Sequence, residues 1–383
     1  MRIRLAIIGQ GLVASHFEAG LERLKEGGME PYGVPLANFP LKYRPDDIDI
    51  VVAYDVDESK VGKSAYDVAK SLMGDQFPVP QALKDIEVRR GIHLGSARGM
   101  PYSARGLEES LGLEGAVGSL IDDWRSLGVD VVVNVMTTEK GEAFGSAAAL
   151  RRALESGGAG LTASHAYAYA LAEHSARRGG ASFVNAIPTP LANDEGVVEL
   201  FRSSGALVLG DDGATGATPL TADLLEHMAE RNRKVEFVVQ FNIGGNTDFL
   251  ALTDPGRNMM KELTKSAMVE DILGYDAPHY IKPTGYLEPL GDRKFVAMHL
   301  SYVSFNNAVD DVYVLARIND SPALAGILVD LTRLAKIALE RGIRGTAYEV
   351  NAFYMKRPGP AGSPAPSKIL AFDALKKWLS ASS

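Results

Sequence analysis

The chain has 383 residues, 46% hydrophobic and 23% charged, enough for a sizeable core in one large or two ordinary domains. A net charge of −8 argues against a general nucleic-acid or membrane-surface binder. Without cysteine, disulfides, thiolate zinc sites and cysteine nucleophiles are excluded, and no apolar run approaches the ~20 residues that span a bilayer.

The N-terminus is strand-like and enters a motif at once, so the expectation is of no signal peptide and a cytoplasmic location. Ile3 to Ile8 suits a parallel strand buried on both faces. Gly9, Gly11 and Ala14 follow as G-x-G-x-x-A, and Val13, Phe17, Leu21 and Leu24 then recur at helical spacing. Strand, glycine turn and helix form the context of a dinucleotide-binding loop, where the backbone reaches the pyrophosphate and the helix N-terminus attracts its charge. The same residues also suit a tight turn with no ligand.

An acidic residue is expected about 20 positions later, at the tip of the second strand. The next good strand is Asp49 to Tyr54, and Asp55 lies 44 positions after Gly11, behind a Pro-rich insertion. Asp55 still has the place to accept from a ribose hydroxyl, which favours NAD over NADP. Residues 56–120 hold helix-like and loop-like pieces without a usable motif. Gly128 to Val135 is another buried strand, ending in Asn134 with Thr137 and Thr138 just after. These are small polar groups where open α/β sheets bind ligands, or a helix cap. A helix over Thr162–Arg178 and strands at Ser182–Ile187 and Ala206–Leu209 complete a parallel doubly wound sheet.

The turn GDDGATGATP follows. Thr218 and Pro219 suit an N-cap and first helical position, so Thr215, Gly216, Ala217 and Thr218 form a natural phosphate site. Asp211 and Asp212 would repel a phosphate unless a lysine or a cation lies between; turn formation is the other reading. Val235 to Phe241 reads as a buried strand broken by Gly244 and Gly245. Asp248 comes next, then Lys261 and Lys265, which share one helix face. An anion between those lysines would relieve their repulsion, although a solvated pair has the same spacing. Strand-like runs at His279–Tyr286, Lys294–Phe305 and Asp311–Ile318 mark an α+β domain. A long helix over Ala323–Arg341, an extended segment at Asn351–Lys356, a Pro/Gly/Ser loop and an amphipathic helix close the chain. The seven histidines lack metal-ligand spacing.

The segments GQGLVAS, VAYDVD, FVNAIP, GDDGATGAT, NIGGNTDF, KELTKS, DRK, INDSPALAGILVD and NAFYMK, in this order, resemble the inositol 1-phosphate synthase family over nearly the whole chain. The resemblance implies an α/β fold: a Rossmann-type doubly wound sheet (1–212 and 322–383) with an inserted α+β catalytic and tetramerisation domain (213–321). It implies conversion of glucose 6-phosphate to inositol 1-phosphate, with NAD reduced and then reoxidised, by a homotetramer. Lys261, Lys265, Lys294 and Lys356 match the family's active-site lysines. Lys265 and Lys294 would stand near the reacting carbonyl oxygens, Lys261 would transfer protons or stabilise the enolate, and Lys356 would face C1 or the phosphate. Asp248, Asp292 and Asp320 match the acids that orient them. Thr215 to Thr218 match the phosphate turn. Ser321 joins the cofactor set of Gly9, Gly11, Leu12, Val13, Asp55, Asn134, Thr137, Thr138 and Asp212, and a monovalent or divalent cation would sit at Asp212. Ala214 departs from relatives with lysine there, and Met260 from those with a polar residue. Two alternatives stand beside this reading: a dehydrogenase of a phosphorylated sugar, which would accumulate NADH, and a non-catalytic dinucleotide-binding protein.

Overall fold

The structure is a computed structural model. It describes residues 2–158 and 160–381, with the side chains of 262–267 outside that description. The first sheet begins with β1 (Ile3–Ile8), β2 (Ile48–Asp55), β3 (Val88–Arg90), β4 (Val131–Asn134), β5 (Ser182–Asn185) and β6 (Leu207–Leu209). The helices between and just after them are α1 (Leu12–Lys25), α2 (Ala65–Met73), α3 (Glu108–Leu127), α4 (Ala147–Ser156), α5 (Ala163–Arg178), α6 (Glu195–Ser203) and α7 (Ala217–Ala229). The second sheet takes β7 (Lys234–Gly244), β8 (His279–Tyr286), β9 (Arg293–Val303) and β10 (Val309–Asn319), with α8 (Thr247–Ala251) and α9 (Pro255–Leu273) inserted between β7 and β8. The chain then returns through α10 (Asp320–Glu340) to β11 (Gly345–Thr346), which pairs with β6, and ends in α11 (Tyr348–Tyr354) and α12 (Lys368–Ser380).

The first sheet runs β3-β2-β1-β4-β5-β6-β11, all parallel. Strand order reverses between β1 and β4, which opens a crevice at their carboxyl ends. Alternation along β1 divides the core. Ile3, Leu5 and Ile7 pack with α1, α2 and α10, while Ala6 and Ile8 pack with α3, α5 and α6. This is the doubly wound arrangement expected. The second sheet, β10-β9-β7-β8, is mixed, because β7 and β8 are parallel while β9 runs against both β7 and β10. Its inner face covers Ala222, Leu225, Met268 and Val269 of α7 and α9.

The long spacing before Asp55 has a structural cause. Residues 31–47 fold across α10: Asp330, buried beside Arg333, accepts from Leu36 N at 2.8 Å, and Arg333 donates to the Tyr43 carbonyl at 3.2 Å. Gly326 is required where α10 meets the Gly33 backbone, since a Cβ there would collide with the carbonyl.

Several expectations are corrected. Val235–Phe241 alternates rather than lying buried throughout, and Phe241 is 43% exposed, because only one face of β7 meets helices. Gly128 ends α3 in the left-handed conformation, so β4 begins at Val131. α7 starts at Ala217 with Gly216 as N-cap (φ 58°), two residues before the expected Thr218 cap. α10 begins at Asp320, with Asn319 as its cap. The segment read as extended at Asn351–Lys356 is mostly helical, within α11. Among the described residues, no helix is long and apolar enough to cross a membrane.

Candidate active site

One cleft runs from the β1–α1 turn, along the carboxyl ends of β2 and β4, to the start of the second sheet. At its first end Gly9 (φ 94°) lies so close to Met136 that a Cβ would approach its backbone to 2.8 Å. Gly11 caps α1 without any side-chain bond, and a Cβ there would meet nothing within 4 Å. The turn is therefore packed beneath and open above, with free N–H groups at the helix start, as a pyrophosphate requires. Leu12 and Val13 continue this wall. Asp55 sits at the tip of β2, where its carboxylate accepts from Gln10 N at 2.8 Å and pairs with Lys60 at 3.2 Å. These residues fit a dinucleotide, with Asp55 placed for a ribose.

At the other end, three lysines from separate segments face the same space, each on an aspartate. Lys261 of α9 pairs with Asp248 of α8, Lys294 of β9 with Asp320 of α10 at 2.6 Å, and Lys356 after α11 with Asp212 after β6 at 2.7 Å. Thr138 donates to Asp248 at 3.0 Å, tying the β4 tip to the lysine cluster. Asp292 lies behind the wall. It accepts from Asn246 Nδ2 at 2.9 Å, Ser321 Oγ at 2.7 Å and Ser321 N at 2.9 Å, and so fixes the start of α10 against α8. A Cβ on Gly216 would lie 3.5 Å from Lys294 Nζ, so that ammonium overhangs the turn at the uncapped start of α7. Thr215, Ala217 and Thr218 line the cleft beside it.

These pairings separate the lysines electrostatically. Burial pulls Lys261 down, but Asp248, Asp212 and Asp320 outweigh it and hold the ammonium above the ordinary lysine value. Burial also lowers Lys356; Asp212 opposes this, the Lys261 charge adds to it, and the result is a depressed pKa. Burial alone would raise Asp320, yet Lys294, Lys261 and Lys356 keep it below the usual carboxylate range. Three ammonium groups face three carboxylates, so the described cluster is a set of oriented ion pairs rather than a net positive patch.

Crystal structures and sequences of known proteins bear on this site. The crystal structure of a myo-inositol-1-phosphate synthase-related protein from Thermotoga maritima is 54% identical, covers 99% of both chains and superposes with a TM-score of 0.93. The chain belongs to the myo-inositol-1-phosphate synthase family. The family model "Myo-inositol-1-phosphate synthase" matches residues 216–321, the segment that carries Asp248, Lys261, Lys294 and Asp320. The inositol-3-phosphate synthase of Corynebacterium glutamicum is 29% identical over 372 residues, 93% of each chain. That of Caenorhabditis elegans shares the fold, with a TM-score of 0.81 at 17% identity over 99% of this chain and 85% of its own.

Among the family residues expected from the sequence, Gly9, Gly11, Leu12, Val13, Asp55, Thr137, Thr138, Asp212, Asp248, Lys261, Lys294, Asp320, Ser321 and Lys356 line one cleft. Lys265 lies outside the described side chains. Asn134 does not reach the cleft. It is fully buried, and its amide donates to Ser164 Oγ at 3.1 Å and Asn185 Oδ1 at 2.9 Å, bracing β4 against β5. Asp211 turns inward as well, accepting from Asn185, Leu191, Ala192 and Asn193, with burial raising it to about 6. The cation expected at Asp212 finds an ammonium there, that of Lys356; among the described residues no cluster of three or more His, Asp or Glu could hold a metal ion.

The sequence reading missed Lys60, Ser96, Ala97 and Tyr102, all on the cleft wall. Tyr102 is pushed up to about 12 by burial, then by the charges of Asp55 and Asp57, and its hydroxyl meets Thr137. The available signal was weak: residues 91–106 are dense in Gly, Ser and Pro between a strand and a helix.

Proposed function

We propose that this family member is an NAD-dependent isomerase that converts D-glucose 6-phosphate to myo-inositol 1-phosphate. The observation that carries the reading is the convergence of Lys261, Lys294 and Lys356, each oriented by an aspartate, on the cleft that continues from the Gly9–Val13 turn. Residues 1–212 and 322–383 form the dinucleotide-binding part, and 213–321 the catalytic part.

The glycine turn would hold the pyrophosphate, Asp55 a ribose hydroxyl, and Thr137, Thr138, Asp212 and Ser321 the nicotinamide end. NAD held there would supply a reversible hydride acceptor for C5 of the open-chain sugar, which makes the overall conversion redox-neutral. The start of α7, with Thr215 to Thr218 beneath Lys294, receives the substrate phosphate. Lys261 stays protonated and stabilises negative charge on an enolate or alkoxide oxygen. Lys356, the amine with the lowered pKa, accepts and returns protons as the C5 hydroxyl and the acidic C6 position release them. Lys294, with Lys265, supports the carbonyl oxygens, and Asp320 and Asp248 fix the lysine directions. Of the two roles expected for Lys261, enolate stabilisation is retained and proton transfer passes to Lys356, because the carboxylates around Lys261 oppose its deprotonation.

Incubation with glucose 6-phosphate and catalytic NAD, followed by phosphorus NMR, tests this. Cyclised inositol phosphate without net NADH is expected. NADH formed in step with an uncyclised product would replace the reading with that of a sugar-phosphate dehydrogenase. The outer face of the second sheet, where Tyr313 is 69% and Leu315 76% exposed, is assigned to assembly of a homotetramer.

A further inference from the structure

Between β3 and α3 the chain makes a closed loop, with Leu107 N donating to the Gly91 carbonyl at 2.8 Å so that the ends of 91–107 meet. The two limbs are anchored within the first domain. Arg105 N donates to Val56 O at 2.9 Å and Glu58 N to Ser103 O at 3.0 Å, while Glu108 accepts from Leu94 N at 2.7 Å. The tip is held differently. Ser96 and Ala97 form part of the cleft wall near Asp55 and Lys60, and behind them the carbonyls of Ser96 and Arg98 each accept from Arg257 Nη2 at 3.0 Å.

Arg257 lies in the first turn of α9, one turn ahead of Lys261, and is only 8% exposed. Among the described residues no carboxylate lies within ion-pair distance of it, although the buried Glu139 feels its charge; the oxygen acceptors of its guanidinium are the two tip carbonyls. A buried guanidinium is costly without acceptors. The loop tip and the lysine-bearing helix therefore hold each other in place. The start of α9 is gripped a second time by Lys140, whose Cδ would lie 2.9 Å from a Cβ on Gly256.

We propose that Arg257 is a positioning residue: a latch that keeps the 91–107 loop closed over the dinucleotide whenever Lys261 is seated in the cleft. Such a latch would serve a redox-neutral cycle, in which reduced cofactor that escapes before ring closure strands an oxidised intermediate. The inference rests on the dinucleotide reading of the cleft, not on the identity of the sugar product.

The test is stopped-flow displacement of NADH from the full chain by excess NAD, read by fluorescence. Arg257→Ala should release NADH at least tenfold faster than the parent. Arg257→Lys, which keeps the charge but loses the two-acceptor fork, should fall between them. A merely structural role would lower the melting temperature and leave the off-rate of the folded fraction unchanged. A parental off-rate in folded Arg257→Ala, or in Arg257→Lys should the alanine variant not fold, overturns the latch. Failure to bind NADH at all in the parent would instead overturn the dinucleotide reading.

Discussion

Lys356 and Asp212 are joined twice: Nζ lies 2.7 Å from Oδ1, and the Lys356 N–H donates to the Asp212 carbonyl at 2.8 Å. The second bond fixes the lysine backbone beside the end of β6, so the amine has a defined direction even when its charge is lost. Burial and the neighbouring lysines lower its pKa. A base works in its neutral form, so kcat should rise with pH through a midpoint below the ordinary lysine value of ~10.4. Lys356→Met should cut kcat by about 10²–10⁴ while NAD still binds. Lys356→Arg should not rescue, because arginine does not deprotonate in this range. A pH-independent kcat in the parent, or near-parental turnover in either variant, would remove Lys356 from proton transfer.

Asp55 sets a second expectation. Its carboxylate accepts from Gln10 N inside the glycine turn and pairs with Lys60 on the cleft wall. Asp55→Asn keeps the shape but removes the charge that favours a free ribose diol and repels a 2′-phosphate. NAD binding should weaken by about 1.5–3 kcal/mol, the worth of a hydrogen bond to a charged group, and the NADP to NAD affinity ratio should rise because Lys60 remains. Calorimetric titration with both dinucleotides checks this; an unchanged ratio would show that Asp55 does not read the ribose.

Glu18 offers a test that does not depend on activity. It is fully buried on α1, bonded to Gln10 Nε2 at 2.7 Å, and burial raises its pKa from 4.5 to about 8. Between those values the unfolded chain releases the proton and the folded chain keeps it, so stability falls as pH rises through this window. Glu18→Gln removes the titration. It should leave stability nearly unchanged at pH 4 and raise it at pH 8 by up to a few kcal/mol, since each tenfold difference in proton affinity between the folded and unfolded chain is worth ~1.4 kcal/mol. Chemical denaturation at the two pH values measures it, and an equal effect at both would contradict a neutral buried acid.

How much of this was legible in the sequence depends on whether the signal was local. The β1–Gly–α1 turn was readable because strand, glycines and helix are contiguous. Asp55 was readable by its place at a strand end, but its odd spacing made sense only once residues 31–47 were seen crossing α10 through Asp330 and Arg333. The Lys356 segment was misread as extended because Phe353 and Tyr354 favour strands. Tertiary partners decide otherwise: Lys368 of α12 donates to the Ala352 and Met355 carbonyls at 2.6 and 2.7 Å, satisfying the end of α11. The lysine pairings with Asp320 and Asp212 link segments far apart in the chain, so no spacing could reveal them. The loop tip held by Arg257 leaves no pattern at all, since it rests on backbone carbonyls that every residue has.

The outer face of the second sheet carries the last expectation. Pairing sets Phe241, Ala297 and Leu315 in one row and Val239, His299 and Tyr313 in the next, with Tyr313 stacked on His299 at 4.4 Å. The inner rows, among them Val238 and Leu300, are buried under α7 and α9. Among the described residues nothing covers the outer rows in this way: Phe241, Tyr280, Tyr313 and Leu315 are 43%, 40%, 69% and 76% exposed. Apolar side chains grouped in this way on a sheet mark an association surface. Leu315→Lys places a charge at its most exposed apolar position on β10 without touching the inner face. Light scattering coupled to gel filtration should find a tetramer for the parent and a smaller species for the variant, with unfolding of the isolated chain little changed. A tetramer that survives Leu315→Lys and Tyr313→Lys together would move the interface to another surface.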